Sequence, residues 1–119
     1  MKKPRKRKLG DCYQKAAEML LKHPPGDLRL AHGTCTCTAS EPNAGIAMGH
    51  AWVEANDIVF EVSNGHNIIA RKEIYYRAGM CRKVKRYTKA QAARMLLKHR
   101  HYGPWDKENQ ETQRKCLAK

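Results

Sequence analysis

Hydrophobic and polar positions along the chain fall into short patterned blocks. Tyr13, Ala16, Ala17, Leu20 and Leu21 recur at helical spacing and predict a helix that stops before Pro24-Pro25-Gly26. Asp11 is a good N-cap and Gln14, three residues on, completes a capping box, which puts Cys12 at the first helical position. Residues 28–32 alternate through Leu28 and Leu30 and predict a strand, which Thr34, Thr36 and Thr38 extend because threonine is at home in strands.

The clearest block runs from Gly49 to Gly65. Ala51, Val53 and Ala55 alternate before Asn56-Asp57, and Ile58, Phe60 and Val62 alternate after it. Two period-two runs about a turn-forming pair predict a β-hairpin. Pairing Ala55 with Ile58 and Val53 with Phe60 keeps one face wholly apolar, whereas a one-residue slip mixes the faces. In this register His50, Trp52 and Glu54 share the other face with Val59, Glu61 and Ser63. Glu61 is then diagonal to His50 at roughly 7–8 Å between backbone positions, a gap its side chain can cover.

Weaker patterns follow. Asn64-Gly65-His66-Asn67 reads as a turn, residues 71–78 as a short helix ended by Gly79, and residues 84–87 as a short basic strand. Thr88 and Gln91 form a second capping box, opening a helix through about His99 with Ala92, Ala93, Leu96 and Leu97 on its apolar side. The aromatic segment 101–105 packs on the domain. The predicted fold is α+β, an N-terminal helix packed on a small antiparallel sheet. Residues 1–9 read as a disordered basic tail, 10–105 as a single domain and 106–119 as a polar, frayed tail.

Charge adds a second theme. The formal net charge is +13 over 119 residues, with one basic block at Lys2, Lys3, Arg5, Lys6, Arg7 and Lys8 and another at Arg82, Lys83, Lys85 and Arg86. Such blocks either solvate an exposed face or contact a polyanion such as nucleic acid, an acidic protein or an anionic surface. No run is apolar enough to span a bilayer, and no hydrophobic stretch follows the cationic start as in a secretory signal. Five irregularly spaced cysteines fit reduced thiols in a cytoplasmic protein better than a disulfide scaffold.

The candidate chemistry joins Cys12 to the hairpin. A thiol at a helix N-terminus lies at the positive end of the backbone dipole, which favours thiolate; an imidazole in reach favours it further, and an acid on the other ring nitrogen fixes the tautomer. Gly10-Asp11-Cys12-Tyr13 opening a helix, Gly49-His50-Ala51-Trp52-Val53-Glu54, and an acid one strand later together resemble the papain-like cysteine enzyme superfamily. The His-Ala-Trp-Val-Glu run is most similar to transglutaminase-like domains, including small ones of phages and bacteria. The resemblance spans about half the chain and implies a cysteine-dependent acyl-transfer enzyme in the cytoplasm, of a host cell if phage-encoded. Hydrolysis (peptidase, isopeptidase, amidase or deamidase) and amine transfer both fit it. By resemblance Cys12 is the nucleophile, His50 the base and Glu61 the third member, with Trp52, Tyr13 and His32 as expected substrate contacts, a protein or peptide as substrate, and no cofactor. The family more often has aspartate at the third place, so Asp57, Asn64 and Asn67 are rivals to Glu61. The Cys12 amide supplies one oxyanion donor; the second has no match upstream.

Two other readings use the same residues. Cys35 and Cys37, with Cys81, Cys116, His32 or His66, offer zinc-ligand types, but paired Cys-x-x-Cys knuckles are missing, so no metal is expected. The large positive charge and missing oxyanion donor suit a non-catalytic basic binding module on the same scaffold.

Overall fold

The alternation on either side of Asn56-Asp57 forms the central hairpin of the molecule. A computed structural model of the chain describes residues 11–36, 45–63 and 65–117. Its strands are β1 (Leu28–Thr36), β2 (Ala47–Ala55), β3 (Ile58–Ser63), β4 (His66–Arg71) and β5 (Arg82–Tyr87); its helices are α1 (Asp11–Lys22), α2 (Lys72–Gly79), α3 (Lys89–His99) and α4 (Lys107–Leu117). The strands build one antiparallel sheet in the order β4-β3-β2-β1-β5. The fold is α+β, as the sequence predicts.

The hairpin has the register that burial demands: Ala55 pairs with Ile58, Glu54 with Val59 and Val53 with Phe60. Asn56 takes the left-handed turn conformation (φ 52°), which asparagine tolerates better than most residues. On the apolar side, α1 buries Cys12, Tyr13, Ala16, Ala17 and Leu20 against Leu30, Ala51 and Val53, and α3 adds Ala92. The capping box is present, with Thr88 accepting from the Gln91 amide and Gln91 from the Thr88 amide.

The opposite face of the sheet is also covered. Helix α2 brings Tyr75 and Tyr76 onto Ala31, Cys35, Trp52 and Val59, so the face that carries His50, Trp52 and Glu54 is a second core. Residues 66–67, expected as a turn, begin strand β4, which pairs along the whole of β3 from Ile58↔Arg71 to Ser63↔His66. The polar stretch after Asp106, expected to fray, is helix α4. It is docked by polar contacts, Thr34 Oγ1 donating to Asn109 Oδ1 at 2.8 Å and Asn109 Nδ2 donating to the Lys83 carbonyl at 3.0 Å. Asn109 is fully buried. The basic residues 1–9 lie outside the described residues. Among the described residues no helix is long and apolar enough to cross a membrane.

Candidate active site

Two glycines let the site assemble. Gly49 precedes His50 on β2, and a Cβ there would collide with the Tyr13 hydroxyl and come within 2.8 Å of Gln113 Oε1. Its absence seats the first turn of α1 directly on β2. Gly33 faces His50 across the β1–β2 ladder, and a Cβ there would lie 2.8 Å from Cη2 of Trp52. The indole therefore reaches over Gly33, where it is fully buried and its ring centroid is 5.7 Å from that of His50.

His50 is the hub. Its Nε2 bonds Glu61 Oε1, and Cys12 is near enough to act electrostatically on its ring. With Nε2 committed to the carboxylate, Nδ1 is the nitrogen that can face the thiol. Both His50 and Glu61 lie beyond the last β2–β3 pair, Val53↔Phe60, so the acid meets the imidazole through side chains while α1 delivers Cys12 from the other side of the sheet. Cys12 is 7 % exposed, and the His50 side chain is 19 % exposed, enough for a small reagent to touch. Burial alone would pull the imidazole down, but the hydrogen bonds and negative charges of Cys12 and Glu61 carry it up to about 10. The imidazole is therefore held as imidazolium, with the carboxylate behind it.

Glu61 has a further partner that the sequence pattern does not announce. The Tyr75 hydroxyl, from α2, donates to Glu61 Oε1 at 2.6 Å, and burial with the Glu61 bond pushes the phenol well above its ordinary range. It thus stays a donor at any working pH. Next to it, buried Glu54 accepts from Trp52 Nε1 at 2.8 Å, Arg86 Nε at 2.7 Å and the Tyr76 hydroxyl, and pairs with Lys72 at 3.3 Å. Burial acts to raise the Glu54 carboxyl, yet Tyr76, Arg86 and Trp52 outweigh it and hold the carboxyl below the usual range. This network ties Trp52, and through it the wall of the site, to α2 and β5. The only sequence signal for it was the Tyr75-Tyr76 pair on a short helix beside an apolar strand.

Other candidates lie elsewhere. Asp57 sits exposed in the hairpin turn, where its carbonyl accepts from the Lys72 amide at 2.6 Å. Asn67 pairs with Val62 across β3–β4 and is exposed; Asn64 lies outside the described residues. Trp52, Tyr13 and His32 are buried, at 0 %, 3 % and 0 % exposure. Trp52 walls the imidazole, Tyr13 seats α1, and His32 is packed among Tyr13, Tyr87 and Trp105 with ring centroids 4.8–5.2 Å away. Among the described residues neither nitrogen of His32 has a hydrogen-bond partner, and burial lowers it to about 4, so it is neutral. Among the described residues no group of three or more His, Cys, Asp or Glu is placed to hold a metal ion. Cys37 and residues 38–44 lie outside the described residues.

No family model, curated protein or solved structure matches the chain.

Proposed function

We propose that this chain is a cysteine-dependent acyl-transfer enzyme of papain/transglutaminase-like type. The observation that supports it is the placement of one imidazole near a helix-terminal thiol and against a carboxylate that a half-buried tyrosine holds in turn. A nucleophile, a base and an orienting acid in that relation are the parts that covalent acyl transfer needs.

The Cys12 thiolate attacks the acyl carbon of an amide or ester, and the His50 imidazolium gives its proton to the departing amine or alcohol. A thioester and neutral His50 result. Water or an amine then attacks the thioester as His50 takes the incoming proton, and the C–S bond breaks to restore thiolate and imidazolium. Glu61 keeps the ring in one tautomer throughout, and Tyr75 keeps Glu61 in place. The test is an activated ester such as p-nitrophenyl acetate, followed by peptide mapping. An acetyl group on Cys12, formed more slowly in His50→Ala, supports the reading; acetyl groups on lysines alone would overturn it.

A second reading rests on edge strand β5, where Arg82, Lys83, Lys85 and Arg86 are all exposed. They suit a polyanion-binding module that uses the scaffold without turnover, or the charging of an edge against pairing with another chain. A chain that binds heparin with a steep salt dependence yet never acylates Cys12 would favour the module.

A further inference from the structure

Cys35 and Cys81 have no part in the chemistry above, yet they are brought together from opposite halves of the chain. The β1–β5 ladder includes Thr34↔Arg82, so in antiparallel register the next facing positions are Cys35 and Cys81. Their Sγ atoms are 3.1 Å apart, although the residues are 46 positions apart in sequence. Cys35 is 8 % exposed and Cys81 half-buried, so Cys81 is the more accessible residue of the pair. Gly79 leaves the approach clear: a Cβ there would come within 3.1 Å of the Cys81 sulfur and 3.8 Å of the Cys35 sulfur.

The two thiols are not equivalent. The Cys81 thiol is lowered, first by the hydrogen bond from Cys35, against burial, and then with help from the His50 charge. The Cys35 thiol is raised by the same bond and by burial. Cys81 is thus the nucleophile of the pair and Cys35 its proton-bearing neighbour.

We infer that Cys35 and Cys81 form a modification site, closed to an intramolecular disulfide by exchange with a small disulfide of the glutathione type. The Cys81 thiolate attacks one sulfur of the small disulfide; that S–S bond breaks and one small thiolate leaves, taking up a proton. Cys35 then loses its proton to solvent and attacks Cys81 of the mixed disulfide, expelling the second small thiolate. Two protein thiols are oxidised and one small disulfide is reduced to two thiols. The new bond closes a loop that contains β2, β3, β4 and α2, and with them His50, Glu61 and Tyr75. Neither step uses Cys12, so this inference stands apart from the acyl-transfer reading.

The test treats the full chain with oxidised glutathione and measures intact mass and cross-linked peptides, in the native sequence and in Cys12→Ser. The expected result in both is a peptide joining Cys35 to Cys81, short of two hydrogens and reversed by dithiothreitol, with any glutathione on Cys12 of the native sequence absent from Cys12→Ser. In Cys35→Ser, a glutathione adduct should collect on Cys81 at least about tenfold faster than on Cys116. A stable adduct on Cys81 without closure in the native chain, or a cross-link joining other cysteines, would overturn the inference whether or not the serine variant folds.

Discussion

Replacing Glu61 by glutamine removes one negative charge from the hub while leaving an oxygen for His50 and Tyr75 to meet. His50 is lifted from an ordinary 6.5 to about 10, against burial, by Cys12 and Glu61 together. That rise corresponds to ~5 kcal/mol in favour of the imidazolium. With the stabilisation divided evenly between the two partners, Glu61→Gln weakens the imidazolium by roughly 2 kcal/mol, a tenfold or larger drop in its population relative to the neutral imidazole. The assay is the rate of Cys12 alkylation by iodoacetamide at neutral pH, followed by peptide mass spectrometry, beside an NMR titration of the His50 ring. The His50 titration should move down by one to two units, and by linkage the fold should lose about 1–3 kcal/mol of stability below pH 6.5. Asp57→Asn should change neither quantity, since Asp57 is exposed in the turn. An unchanged alkylation rate together with an unchanged His50 titration in Glu61→Gln would refute the reasoning.

Tyr75→Phe deletes the 2.6 Å bond to Glu61 and should slow Cys12 alkylation by a smaller factor, with loss of about 1–2 kcal/mol of stability in urea unfolding. Glu54→Ala leaves Arg86 and Lys72 without their buried partner and should cost ~3 kcal/mol or more in the same experiment. His32 is neutral in the fold and lowered to about 4, so the unfolded chain binds more protons below its ordinary value of 6.5. Stability from this group is complete above that value and lost as pH falls from about 6.5 to about 4, by ~3 kcal/mol; His32→Phe should flatten acid unfolding across that window. His50 has the opposite sign: being raised, its contribution is complete below pH 6.5 and lost as pH rises through about 10. Deleting residues 1–8 should flatten the salt dependence of heparin binding, since fewer counterions are released.

The legible parts of this fold are those in which burial is apolar and periodic. The hairpin register followed from Ala55 and Ile58 because a slip would mix polar and apolar positions on the face that meets α1, and helix α1 followed from its apolar stripe. Strand β4 was not legible, because Ile68 and Ile69 stand side by side without alternation and both remain substantially exposed, at 40 % and 71 %. Helix α4 was hidden for a different reason: Asn109 and Thr112 dock it through hydrogen bonds with Thr34, and hydropathy does not register polar burial. At the site, the contact of His50 with Glu61 was readable from the hairpin alone. Tyr75 and the Cys35–Cys81 approach depend on long-range placement of α2 and β5, which no local pattern carries.

The central claim is that Cys12 is an activated nucleophile held by His50. Its most direct test is the rate at which iodoacetamide labels each of the five cysteines across pH in the folded protein. The account predicts that Cys12 reacts first at neutral pH, that its rate holds up as the pH is lowered below neutrality, and that His50→Ala removes this advantage. Cys12 labelled last, or only after denaturation, would contradict the account and return it to the core as a buried thiol.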